Sequence, residues 1–234
     1  MIIAFICIVL IFNTMETISI HRPKIVVIGS CNTDMVVKAN RLPVPGETIL
    51  GGTFYMNPGG KGANQAIAAA RLGAEVTFIS KIGYDLFGLQ ALEIYRSEKI
   101  NTEYIFTDQK SPSGVALISV DSFGENSIIV APGASRSLSI EDINKAEEKI
   151  KEADIILMQL EIPIDTVEYA ATIACKYGKK VILNPAPASS LSNSFLMNVH
   201  TILPNRIEAE MLSGIKVMNI ESAHPVSYTH LTLP

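Results

Sequence analysis

Short runs of β-branched residues alternate with amphipathic stretches along most of this chain, and that alternation constrains the fold more than any other feature. It starts with Lys24-Ile-Val-Val-Ile-Gly29, an apolar run ended by glycine, which predicts a buried strand. Residues 57–73 predict a Gly-rich loop opening a helix. Ala63, Ala66, Ile67 and Ala70 fall at i, i+3, i+4 and i+7, and Gly73 stands where a C′ glycine ends a helix. Val76 to Ser80 predicts the next strand, and Asp85 the N-cap of a helix through Leu89 and Leu92. Gly114–Val120 and Asn126–Val130, joined at Asp121-Ser-Phe-Gly124, predict an antiparallel hairpin. Ser139-Ile-Glu-Asp142 reads as a capping box, opening a helix whose Ile143, Ala146, Ile150 and Ala153 share a face. A strand over 154–160, a helix over 165–177, strands over 180–183 and 201–203 and a helix over 206–212 complete the pattern. Strands separated by helices imply an α/β fold with a mainly parallel sheet covered on both faces. Ligands of such sheets bind beyond the carboxyl ends of the strands.

Charge and cysteine usage narrow the function. The 234 residues carry a net charge of −4, with no cluster of Lys and Arg, which argues against nucleic-acid or membrane partners. Cys7, Cys31 and Cys175 are far apart and lack metal-ligand spacing, as do the four histidines, so reduced thiols in an intracellular protein are expected. The apolar run Met1–Phe12 is shorter than the roughly 20 residues needed to span a bilayer and lacks a basic n-region. Residues 1–22 therefore read as an extension outside the fold, with a cytoplasmic or nuclear location expected and secretion or anchoring disfavoured. Residues 223–234 show no period of either kind and read as an anomalous tail.

Several polar residues fall at predicted strand ends. Asn32-Thr33-Asp34 follows the first strand where a dinucleotide site would need G-x-G-x-x-G. Amide and carboxylate groups suit hydroxyls, although an Asx-type turn accounts for the same residues. Gly59-Gly-Lys-Gly-Ala-Asn64 allows close backbone approach, and the helix behind it turns its first N–H groups toward a ligand. It is not a Walker A loop, and a tight turn is the plain alternative. Glu161 ends the strand over 154–160. Asn205 and Glu208 form N-x-x-E at the start of the last helix, where a carboxylate can serve either a Mg²⁺–phosphate complex or an ordinary cap.

Together these segments resemble the ribokinase branch of the PfkB carbohydrate kinase family. The resemblance is carried most specifically by P-G-G-K-G-A-N-Q-A and A-A-R-L-G-A-E-V-T-F-I-S-K-I-G-Y-D-L-F-G within residues 57–88. It continues in P-V-P-G-E-T (43–48), S-G-V-A-L-I (113–118), M-Q-L-E (158–161), L-N-P-A-P-A (183–188) and L-P-N-R-I-E-A-E (203–210). It implies a ribokinase-like three-layer sandwich with a small β lid, its domain spanning 23–222 and its lid segments about 42–56 and 113–130. It implies transfer of the γ-phosphoryl group of ATP to the 5-hydroxyl of D-ribose, with Mg²⁺, a monovalent cation (K⁺) and a homodimer formed through the lid. Sugar binding would fall to Asn32, Thr33, Asp34, Gly60, Lys61, Gly62, Ala63, Asn64 and Glu161. ATP would meet Asn205, and Glu208 would order Mg²⁺ and phosphate indirectly.

One departure stands out. The family's second signature, a Gly-Ala-Gly-Asp run whose Asp is the catalytic base, occurs nowhere in this sequence. The resemblance thus implies a domain incomplete at its C-terminus, without its base or its monovalent-cation site, and inactive by itself. Other readings are a non-catalytic sugar-binding module on the same site, or another sugar or nucleoside kinase of the family such as a fructokinase.

Overall fold

A computed structural model of the chain describes residues 22–219, 221, 222 and 226. Apart from Arg22 and Val226, the expected extension over 1–22 and tail over 223–234 lie outside these residues.

Ten strands form two sheets. The larger has six strands in the order β10-β9-β8-β1-β4-β5. These are β1 Lys24–Ile28, β4 Glu75–Gly83, β5 Ile105–Asp108, β8 Ile155–Met158, β9 Lys180–Leu183 and β10 Thr201–Ile202. Every neighbouring pair in it is parallel. The helices between them are α1 Lys61–Arg71, α2 Leu86–Ser97, α3 Ile140–Lys145, α4 Glu147–Glu152, α5 Ile164–Lys176, α6 Asn193–Leu196 and α7 Arg206–Ser213.

Strand alternation sends neighbouring residues to opposite faces, and β1 shows the result directly. Val26 and Ile28 pack in one core with Ile143, Ile150, Val167 and Ala170 of α3, α4 and α5. Val27 packs in a second core with Ala63, Ala66 and Tyr95 of α1 and α2. Helices therefore cover both faces of the sheet, giving three layers. Burial of each such Val or Ile side chain stabilises the fold by about 1.5–3 kcal/mol. In the second core the rings of Phe78 and Tyr95 meet edge to face, centroids 5.4 Å apart. The Tyr95 hydroxyl lies 2.9 Å from Cys31 Sγ. Burial pushes the Cys31 thiol up to about 11, so it is a protonated packing group.

The smaller sheet runs β3-β2-β6-β7: β2 Asn32–Lys38, β3 Thr53–Gly59, β6 Gly114–Val120 and β7 Asn126–Ala131. The β6–β7 hairpin is the one expected. Asn32-Thr33-Asp34 departs from the turn that is one sequence reading: it opens β2, pairing antiparallel with β3 and parallel with β6. Of the segment 42–56, only Thr53 onward is strand, and β2 and β3 make half of the smaller sheet. A second departure concerns the helix after Ser139. Its capping box forms as expected, but the helix divides at Ala146 into α3 and α4. Ile143, Ala146, Ile150 and Ala153 stay buried across the break, which keeps their shared face intact.

The sheets meet where the chain crosses between them. The Asp85 carboxylate caps α2 through Gly88 N–H at 2.9 Å and accepts from Ser113 N–H and Ser113 Oγ, each at 2.7 Å. Burial raises the Asp85 pKa, but these hydrogen bonds prevail and hold it below the usual carboxylate range. One partly buried acid thus ties the start of β6 to the body.

Candidate functional site

At the carboxyl ends of β1 and β8 the chain leaves a cleft of about 420 Å³, a volume suited to a small polar ligand. It is lined by Ser30, Lys61, Leu160, Glu161, Ala186, Pro187 and Glu208 from the body, and by Asn32, Val130, Pro132 and Arg136 on the side of the smaller sheet.

Its floor is built by close approach. A Cβ on Gly29 would fall 1.9 Å from Gln159 Oε1 and 2.9 Å from Gly62 Cα, so only glycine lets α1 start against the end of β1. Gly60, at φ 90°, makes the turn from β3 into α1. The helix has no side-chain N-cap of its own. Glu161 supplies one from across the cleft. Its Oε2 accepts from Lys61 N–H at 2.9 Å and from Ser30 Oγ at 2.5 Å, and Lys61 Nζ lies 3.7 Å from Oε1. A carboxylate at a helix N-terminus also meets the positive end of the helix dipole.

That arrangement corrects the expectation that α1 turns its first N–H groups to a ligand. Lys61 N–H goes to Glu161, Gly62 N–H to Ser30 Oγ at 3.4 Å and Ala63 N–H to Ser30 O at 3.0 Å. Buried donors are satisfied within the protein wherever partners lie in reach, and Ser30 provides two of the three here.

The candidate hydroxyl-binding groups come from β2. Asn32 and Asp34, two apart, share one face of the strand, and Thr33 takes the other. Asn32 is 5% exposed, and its Oδ1 has no hydrogen-bond partner among the described residues. Leaving a buried acceptor unmet costs about 1–3 kcal/mol, which a ligand donor would recover. Burial pushes the half-buried Asp34 carboxyl above its ordinary value, and the charge of Glu161 adds to the shift. Two glycines hold these side chains in place. A Cβ on Gly114 would fall 2.1 Å from Asn32 Oδ1, and one on Gly59 would fall 2.0 Å from Asp34 Oδ1.

The remaining candidates divide. Lys61 stands at the cleft, bound to Glu161, and Gly60 is the turn residue just before it. Thr33 instead lines a groove with Met56, Pro58 and Phe87, the Ala63 methyl is in the core, and Asn64 is exposed on α1. Asn205 and Glu208 form a reciprocal capping box on α7: Glu208 N–H donates to Asn205 Oδ1 at 2.9 Å and Asn205 N–H to Glu208 Oε2 at 2.8 Å. Asn205 Nδ2 also donates to Glu208 Oε1 at 2.7 Å. Glu208 is buried and lines the cleft, whereas Asn205 is exposed. Sequence reasoning gave no role to Ser30 or Arg136. The position of Ser30 between Gly29 and Asn32 was a usable signal; nothing in the local sequence marks Arg136.

The profile of the "pfkB family carbohydrate kinase" matches residues 22–226. A ribokinase of Haemophilus influenzae is 46% identical over 202 residues, 86% of this chain and 66% of that protein. A deoxyribokinase of Salmonella typhi is 40% identical over 194 residues, 82% of this chain and 63% of that protein. This chain thus spans just under two thirds of the length of these curated relatives. Among solved structures, the Arabidopsis thaliana ribokinase complexed with ribose and ATP superposes with a TM-score of 0.80 at 31% identity. The match covers 90% of this chain and 69% of that one. With the three-layer fold, the second sheet and the cleft between them already in place, the chain belongs to the pfkB family of carbohydrate kinases.

Proposed function

We propose that the protein serves ATP-dependent phosphorylation of D-ribose at its 5-hydroxyl, and that these residues supply the sugar half of the active site. The observation that carries this reading is the pair of acceptors on β2. Asn32 lines a cleft of sugar size with its Oδ1 buried and without a partner, and Asp34, on the same face of β2, has a carboxyl pKa raised by burial. A sugar offers several hydroxyl donors on one face, and a carboxylate with an adjacent amide can hold two of them in fixed orientation. Glu161 and the Gly60–Lys61 turn close the other side. Holding the acceptor in one pose supplies much of what phosphoryl transfer needs, because that chemistry depends mainly on positioning and charge stabilisation. The names of the relatives support ribose, and the Salmonella deoxyribokinase makes 2-deoxyribose the closest competitor.

ATP is assigned to the side of α7, where Asn205 is exposed. For magnesium, no group of three His, Cys, Asp or Glu able to hold a metal exists among the described residues. Both Glu208 carboxylate oxygens already accept from Asn205, so Glu208 fits a role through metal-bound water and not direct ligation. When bound, the ion would neutralise charge on the transferred phosphate. The monovalent cation is assigned to none of these residues. The open face of the smaller sheet is proposed to meet a second copy of the chain, consistent with its exposed Phe54, Leu117 and Ile129. Among the described residues no helix is long and apolar enough to cross a membrane.

Since no Gly-Ala-Gly-Asp run occurs in the 234 residues, we expect them alone to bind sugar with little turnover. Loss of a general base costs about 10²–10⁴ in rate. The test is calorimetric binding of ribose, 2-deoxyribose, fructose and adenosine, with ribose-dependent ADP formation measured alongside and Asp34→Ala as control. Ribose binding that Asp34→Ala weakens by about 100-fold supports the reading. Tighter binding of any of the other three would overturn the ribose assignment, and ADP release above the control would overturn the expected inactivity.

A further inference from the structure

Four charged side chains line the cleft, and three have partners. Glu161 is bound by Ser30 and Lys61, Lys61 lies 3.7 Å from Glu161, and Glu208 is held by Asn205. Arg136 makes no hydrogen bond or ion pair among the described residues. Its side chain is long, but its root is fixed. Arg136 sits in a 3-10 turn, Gly133–Ser137, bound on several sides. Ser135, fully buried, accepts from Cys31 N–H at 3.2 Å and donates to Cys31 O at 3.3 Å. Ala134 N–H donates to Pro112 O at 2.8 Å, and Lys81 Nζ donates to Ser137 O at 3.1 Å. The turn is therefore bonded to the residue just before Asn32, which gives Arg136 a set position relative to the sugar-binding groups.

A neutral sugar offers an uncommitted guanidinium no charge to pair with, and Asn32 and Asp34 already offer acceptors to its hydroxyls. A phosphomonoester dianion offers that charge. Guanidinium and phosphate make paired charge-assisted hydrogen bonds, and the two carboxylates of the cleft would otherwise repel the dianion. We propose that Arg136 binds the phosphate of the phosphorylated sugar, making it a residue that sets affinity for product and not for substrate. This rests on the ribose reading above.

The test compares D-ribose, D-ribose 5-phosphate and inorganic tripolyphosphate by calorimetry on the 234-residue chain and on Arg136→Gln and Arg136→Lys. Arg136 is exposed, so neither substitution endangers the fold. Arg136→Gln should weaken ribose 5-phosphate by about tenfold or more while changing ribose by less than about twofold, with Arg136→Lys between. Equal weakening of ribose and ribose 5-phosphate, or of neither, overturns the proposal. Weakening confined to tripolyphosphate also overturns it and assigns Arg136 to the nucleotide. Failure of the unsubstituted chain to bind ribose at all is a different result: it removes the sugar-site reading, and this inference with it.

Discussion

The two sheets are built from similar apolar residues and treat them in opposite ways. In the six-stranded sheet Val26, Val27 and Ile28 are at most 3% exposed, since helices cover both faces. In the four-stranded sheet all six residues of β7 are exposed. Strand register places Leu117 opposite Ile129 and Val37 opposite Phe54, on the face turned away from Asn32 and Asp34. Exposed apolar side chains on that scale are what the proposed pairing with a second copy would cover. The larger sheet thus supplies stability and fixes the strand ends. The smaller one carries Asn32 and Asp34 and is held to the body at a few points, among them Asp85 with Ser113 and Ser135 with Cys31. On the proposed function, stability and ligand recognition are partly separated in this molecule and can be perturbed separately.

The sharpest contrast is in stability. Phe78→Ala, which empties a fully buried site against Tyr95, should cost about 3–5 kcal/mol, whereas Ile129→Ala, 70% exposed, should stay within about 0.5 kcal/mol. Chemical denaturation of both variants at low protein concentration checks this. A large loss from Ile129→Ala would mean that its face is buried even then and that the contrast between the sheets is wrong.

In binding the order reverses. Asp34→Ala should weaken ribose by about 100-fold, the scale of two hydrogen bonds to a charged group, with the denaturation midpoint nearly unchanged. Titration calorimetry beside the same unfolding measurement separates the effects, and a matching fall in stability would make Asp34 a structural acid. Gly59→Ala should act more weakly and in the same direction. The new methyl meets the Asp34 carboxylate, and a shift of that group should cost ribose affinity about tenfold. Restoration of binding by a shorter ligand group is not needed to read the result; unchanged affinity would show that Asp34 can move without consequence.

The smallest effect is one of pH. The ionised Asp34 accepts sugar hydroxyls, so binding favours the deprotonated form. Ribose affinity should therefore be constant near neutrality and fall as pH drops through the Asp34 pKa, approaching tenfold per pH unit below it. Because burial and Glu161 raise that pKa, the fall should begin at a higher pH than for an ordinary aspartate. Asp34→Asn, if it still binds, should flatten the profile. A persisting slope would assign the titration to another group.

Much of this was legible in the residues. Strands β1, β8 and β9 of the larger sheet are mostly apolar runs because both their faces are buried, and such runs declare themselves without tertiary knowledge. The edge strand β5, Ile-Phe-Thr-Asp, carries no such run and was not expected. The caps at Asp85, Ser139 and Asn205 are local hydrogen bonds between residues three apart, so they too could be read directly. The smaller sheet was half visible. Its β6–β7 hairpin is joined by a short turn, whereas β2 pairs with β3 only across the irregular stretch 39–52 and with β6 from far along the chain. Asn32 and Asp34 were recognisable as polar residues at a strand end; that they share the face on which Asn32 meets the cleft, while Thr33 does not, depends on the register of β2.

By itself the sequence determined the three-layer α/β plan, the family and the small set of polar residues at strand ends, because periodicity, capping and motif spacing are local properties of the chain. Only the tertiary structure decided which of those residues act together. It spent the first N–H groups of α1 on Ser30 and Glu161, left Asn32 Oδ1 without a partner, and brought Arg136 to the cleft from more than a hundred residues after Ser30. The physical reason is that satisfaction of a buried polar group depends on what the fold places within about 3 Å of it, a distance that sequence separation does not encode.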